Sequence, residues 1–233
     1  MEQLCAYLFE HLDDEGDREL EDGVANLDAW LRANGIDGEG LEVDKLSDQA
    51  VADLDGELQH TAEGAVGAAV DDDISHPVLD VAEVLLIDDL VEVFPDTYES
   101  YERDYQDDPD CFLAQECPRH TFENAFVAVY GGVITVETNM VAQFRWVDLD
   151  GELALVQRGW LAGETEISVD WASVEEQYFL MVALPREDGT LRLQAVWIKA
   201  VLGEDAAPES AALNVMVNSM SKQSQEIQEW LDQ

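Results

Sequence analysis

The sequence predicts an α+β fold: a helical N-terminal part, then a curved antiparallel meander sheet closed by a long C-terminal helix. Three observations carry this. Apolar residues recur at helical spacing through roughly the first hundred positions. From about Thr121 the apolar period changes to two, with turn residues between the runs. The last two dozen residues return to helical spacing with one apolar stripe.

Leu4, Cys5, Leu8, Phe9 and Leu12 predict an amphipathic helix over 2–12. Leu20, Val24, Leu27 and Leu31 repeat the pattern, and Asn34-Gly35 supplies a stop signal. Ser47 is placed to cap a third helix, with Asp48 favourable at its positive end and Val51, Leu54, Leu58, Ala65 and Ala69 as its stripe. Pro77 opens a fourth, carrying Val78, Ala82, Leu85, Leu86 and Val93, which Pro95 ends. Tyr98, Tyr101 and Tyr105, at spacings of three and four, predict one more helical face.

Strands are expected at 122–130, 132–147, 152–162, 165–184 and 190–202. Turns at Gly131-Gly132, Asp148–Gly151 and Arg186–Gly189 make consecutive hairpins of them. A final helix from about Pro208 to Leu231 carries Leu213, Met216, Val217, Met220, Ile227 and Leu231 on one side, which must bury against the sheet. No strand is expected before residue 120.

Composition limits the function. The chain has 233 residues, 53 acids against 11 bases and a net charge of −42. Nucleic-acid binding needs a basic footprint, so that partner is excluded, and docking on an anionic membrane is disfavoured. No apolar run approaches the ~20 residues that span a bilayer. Hydrophobic residues at 47% are enough for a sizeable core. Residues 1–110 hold 34 acids and 4 bases, and residues 111–233 hold 19 and 7. The acidity, with only Lys45, Lys199 and Lys222 as lysines, fits a halophilic-type surface. The N-terminus lacks the basic region of a signal peptide. The sequence as it stands therefore predicts a cytoplasmic protein, and an exported origin stays open if a leader preceded Met1.

Three segments carry a resemblance. Leu155-Val156-Gln157-Arg158-Gly159-Trp160 resembles an apolar–Arg–x–Trp strand of START-type lipid-transfer domains. Val215–Gln223 resembles the opening of their closing helix, and the apolar run between Val84 and Pro95 resembles the helix that crosses the mouth of the helix-grip fold. The similarity covers about residues 77–233. It implies a START-like domain there and an acidic helical segment over 1–76 that is added to, or replaces, the family's first strands. It also implies a cavity between the sheet and the closing helix for an apolar or lipid-like small molecule.

Phe144, Trp146, Leu155, Trp160, Trp171, Leu193, Trp197, Met216 and Met220 are the candidate apolar ligand contacts, with Arg158 and Arg192 as anchors for a polar end. Alternation places Gln143, Arg145, Val156 and Arg158 on one sheet face. Phe144, Trp146, Leu153 and Leu155 share the other. Arg192 and Gln194 go with Phe179, Met181 and Val196. The competing reading of Arg145, Arg158, Arg192 and Lys199 is ion pairing with the acidic helical half.

Cys111 and Cys117 bracket a five-residue loop, suited to a disulfide or to two reduced thiols. Glu57–His60 has the spacing of one half of a di-metal motif, but its second half is missing, and the acidic turns do not match a calcium loop. No catalytic residue, metal or cofactor is expected. Two other functions remain: an acidic interaction module docking a basic protein partner, and a helix-grip cyclase or hydratase. The sequence does not indicate an oligomeric state.

Overall fold

The computed structural model describes residues 2–14, 16–36, 40–130, 133–202 and 209–233. The fold is α+β: short N-terminal helices, an unclosed antiparallel sheet of nine strands and a C-terminal helix packed against it.

The chain opens with α1 (Glu2–His11) and α2 (Arg18–Asn34), as the apolar spacing requires. Gly35, with φ +69, ends α2 by returning its N–H to the Leu31 carbonyl at 2.9 Å. Next come β1 (Leu41–Val43) and α3 (Asp48–Ala52). The Ser47 hydroxyl accepts the Ala50 N–H at 3.1 Å, so the cap forms where expected.

The long third helix does not form, because α3 is only five residues long. Residues 66–74 form strand β2 (Val66–Ile74) instead. β2 pairs with β1 on one side and with β9 (Gly189–Leu202) on the other. The small residues that read as a slim helix are small for a tertiary reason. A Cβ on Gly67 would lie 2.5 Å from Trp197 and 2.7 Å from Val43.

The fourth helix is also shorter than predicted: α4 (Val78–Leu85) gives way to turns. There the Asp89 side chain accepts the Val91 N–H at 3.0 Å, a local alternative to helical bonding. The tyrosine segment is a strand, β3 (Tyr98–Tyr105), not a helix. It pairs Tyr101 with Phe126 and Tyr105 with Phe122, and an irregularity between Tyr98 and Ser100 shifts the register. That shift lets residues three apart share one face of a strand, which mimics a helical spacing. Three strands therefore precede residue 120.

A short helix, α5 (Pro109–Leu113), leads into the meander: β4 (Arg119–Tyr130), β5 (Ile134–Leu149), β6 (Glu152–Leu161) and β8 (Ala172–Arg186), returning through β9. The span 165–184 is two strands, because β7 (Glu166–Ile167) pairs off the main path with β5. The β5–β6 turn places Asp150 and Gly151 at φ 56 and 93, a two-residue turn. The register is Gln143 with Arg158 and Arg145 with Val156. Opposed residues share a face, so the expected grouping of Gln143, Arg145, Val156 and Arg158 holds. The chain ends in α6 (Glu209–Leu231). The expected turn at Gly131-Gly132 and the start at Pro208 lie outside the described residues.

Each sheet face has its own core. α1, α2 and α3 cover one face, over Val156, Trp160, Tyr178, Leu193 and Trp197. α4, α5 and α6 cover the other, over Phe122, Phe144, Trp146, Leu155, Met181 and Val196. Cys111 and Cys117 are joined by a disulfide that tethers α5, whose Phe112 stacks on Trp146 at 5.2 Å. Cys5 is a buried thiol that burial pushes up to about 12. Replacing Cys117 with serine is expected to cost about 2 kcal/mol, because the disulfide closes only a short loop. Denaturant midpoints of the two forms measure it, and equal midpoints would refute it.

Candidate ligand-binding site

A cavity of about 130 Å³ lies on the sheet face that α4 and α6 cover. Six strands contribute to its wall. Tyr98, Tyr101 and Arg103 come from β3, and Phe122, Asn124 and Phe126 from β4. Ala142 and Phe144 come from β5, Gln157 and Gly159 from β6, Phe179 from β8 and Arg192 from β9. Ser219 and Gln223 of α6 close it, and Leu85, Leu90 and Phe94 bound the α4 side. Space exists because Ala142 sits opposite Gly159, two strand positions with almost no side chain.

Eight of the lining residues carry aromatic rings. Tyr101 stacks on Phe126 at 5.7 Å and Phe122 on Phe144 at 5.3 Å. Arg103 is held rigidly. Its Nε donates to Asn124 Oδ1 at 3.0 Å, one Nη to the Ile87 carbonyl at 3.1 Å and the other to the Tyr101 hydroxyl at 2.9 Å. Its guanidinium also lies 4.3 Å from the Phe122 ring centre. Burial raises the Tyr98 and Tyr101 hydroxyls well above the usual phenol range, so both stay neutral donors.

Arg192 is 1% exposed. One Nη donates to Ser224 Oγ at 3.1 Å, and its Nε has no partner among the described residues. Burial lowers its pKa to about 10, opposed by Asp72 and Tyr98, and it stays charged at neutral pH. Gln194 beside it donates to the Met220 carbonyl at 2.9 Å, while its Oε1 has no partner among the described residues.

The residues expected from the sequence fall into four groups. Phe144 and Arg192 line the cavity. Trp146, Leu155 and Met220 lie on the same side in packed core, where Trp146 donates to the Phe112 carbonyl at 2.9 Å. Trp171 and Met216 line a second, open apolar recess of about 250 Å³ with Ile134, Val136, Ile167 and Val215. It adjoins the cavity through Tyr130 and Gln177, which border both.

Arg158, Trp160, Leu193 and Trp197 sit on the opposite face, beneath the N-terminal helices, and do not line the cavity. Arg158 donates to the Phe9 carbonyl at 3.1 Å, and Trp197 to the Asp44 carbonyl at 2.8 Å. The ion-pairing reading thus holds for Arg145 and Arg158, which reach Asp17 and Asp13. Lys199 pairs with Glu175, on the neighbouring strand.

Sequence reasoning missed Tyr98, Tyr101, Arg103, Asn124 and Gln223. A period-two count over Tyr101-Glu102-Arg103-Asp104-Tyr105 would have found the first strand of the site. Among the described residues no three His, Cys, Asp or Glu side chains gather in a way that could hold a metal ion. No helix of the described residues is long and apolar enough to cross a membrane.

No protein-family model and no curated protein matches this sequence. Solved structures do. One is a STAR-related lipid transfer protein fragment from Xanthomonas axonopodis, with TM-score 0.49 and 12% identity over 75% of this chain and 97% of that one. A second is a START superfamily protein from Mycobacterium smegmatis, with TM-score 0.44 and 7% identity over 72% and 98%. A third is the Zhui aromatase/cyclase from Streptomyces sp. R1128, with TM-score 0.42 and 10% identity over 70% and 88%. Each of these likenesses concerns the fold alone. The cavity between sheet and closing helix is read from this chain's own residues.

Proposed function

We propose that this protein binds an apolar or amphipathic small molecule in the cavity between the sheet and α6, with Arg192 anchoring a polar end. The observation that carries this reading is the cavity itself, ring-walled and closed by one helix, with a buried guanidinium left short of partners. Of the residues expected from the sequence, Phe144 and Arg192, which line the cavity, would touch the guest directly. Met216 and Trp171 border the recess through which it would enter, and Trp146, Leu155 and Met220 back the wall. A lipid is the ligand class that the family resemblance implies. Release requires α6 or the neighbouring hairpin end to move.

Native mass spectrometry of the purified protein, with extraction of any bound molecule, tests the reading. Ser219→Trp, on the cavity side of α6, is expected to fill the space and abolish uptake while leaving the fold intact. Undiminished uptake by the folded variant would place the ligand elsewhere.

A further inference from the structure

The chain has eight arginines and 53 acids. Six arginines have a carboxylate within 4.0 Å: Arg18, Arg32, Arg119, Arg145, Arg158 and Arg186. Among the described residues, Arg103 and Arg192 do not, and both line the same cavity. Tyr98, in the same lining, feels the charge of both.

The two arginines differ in what they have left to give. Arg103 spends most of its N–H groups on Asn124, Ile87, Tyr101 and Tyr105. Arg192 makes one hydrogen bond, to Ser224, out of a guanidinium's five N–H groups. A buried donor without a partner costs free energy, and a buried cation costs more. A ligand that supplies an anionic acceptor at this wall would remove both costs. Asp72, the cross-strand partner of Arg192, is the acid that acts on it, from beyond ion-pairing distance. Burial holds the Asp72 carboxyl above its usual range, which weakens its claim on Arg192. Arg103 also borders an outer recess with Glu102, Asp104 and Glu123, none of which comes within 4.0 Å of it.

Size and shape narrow the guest further. About 130 Å³ is close to the roughly 150 Å³ that accepts benzene in an engineered cavity. It is well below the ~300–1,000 Å³ of sites for drug-sized molecules. Phe94, Tyr98, Phe122, Phe126, Phe144 and Phe179 present ring faces and edges to that space. We infer that the cavity takes a small aromatic carboxylate, one ring deep, with its carboxylate on the Arg192 guanidinium. This rests on the small-molecule reading above and specifies its ligand class.

The test is calorimetric titration of the full chain with benzoate, benzyl alcohol, toluene and decanoate, at one pH and one ionic strength. A fixed ionic strength is needed because the −42 charge repels every anion. Benzoate is expected to bind about tenfold or more tighter than benzyl alcohol, the scale of a charge-assisted hydrogen bond. Arg192→Gln should abolish that preference by weakening benzoate binding about tenfold or more. Equal affinities for benzoate and benzyl alcohol, or a preference retained in folded Arg192→Gln, would overturn the inference. If that variant fails to fold, the comparison on the natural chain decides by itself. Binding of decanoate with no single-ring ligand would overturn the aromatic assignment and leave the small-molecule reading standing. Failure of all four probes would sink both.

Discussion

Replacing Arg145 with methionine is expected to lower the unfolding free energy by about 3 kcal/mol, mainly by stranding backbone carbonyls. Arg145 is 2% exposed and lies on β5, yet its partners belong to the start of the chain. One Nη reaches the carbonyls of Leu12 at 2.7 Å and Asp14 at 3.0 Å. The other reaches the Gly16 carbonyl at 3.1 Å and the Asp17 carboxylate. Asp17 is 73% exposed and contributes little in water. The loss comes from the carbonyls, which hold the α1–α2 connection against the sheet. Methionine keeps most of the volume, so packing is a minor part. Denaturant unfolding followed by tryptophan fluorescence reads the change. A loss below about 1 kcal/mol would show that water replaces the guanidinium at no cost.

Gly67→Ala discriminates between two structures of the same segment by the sign of its effect. In the helix suggested by the spacing of Val51 to Ala69, alanine would stabilise by about 1 kcal/mol over glycine. In β2 the new methyl would stand 2.5 Å from Trp197 Cδ1 and 2.7 Å from Val43 Cγ2. Trp197 cannot yield easily, since it is fully buried and its indole N–H donates to the Asp44 carbonyl at 2.8 Å. Overpacking of this kind costs about 1–3 kcal/mol, so the variant is expected to be less stable by that amount. A stabilised variant would refute the pairing of β2 with β9.

Both substitutions concern the boundary between what was legible and what was not. The face on which each strand residue lies could be read, because alternation is a local property: Phe144 and Trp146 separate from Arg145 by parity alone. Which of the two faces α6 covers could not, since both are apolar enough to bury. Leu155 and Arg192 therefore lie on the α6 side, while Trp160, Leu193 and Trp197 pack under α1 and α3. The resemblance to START-type domains pointed to the space beneath α6. It did not point to β3, where a register shift disguises an alternating strand as a helix.

The sequence by itself determined the amphipathic helices α1, α2 and α6 and the hairpins of the meander. Both follow from local period and turn chemistry. The tertiary structure alone decided that Val66–Ile74 is a strand, because its small residues answer to Trp197 across the sheet and not to their own neighbours. It also decided which arginines are ion-paired. Arg145 and Arg158 meet the acidic N-terminal helices, and Arg103 and Arg192 remain at the cavity, because pairing depends on which face of the sheet each element covers.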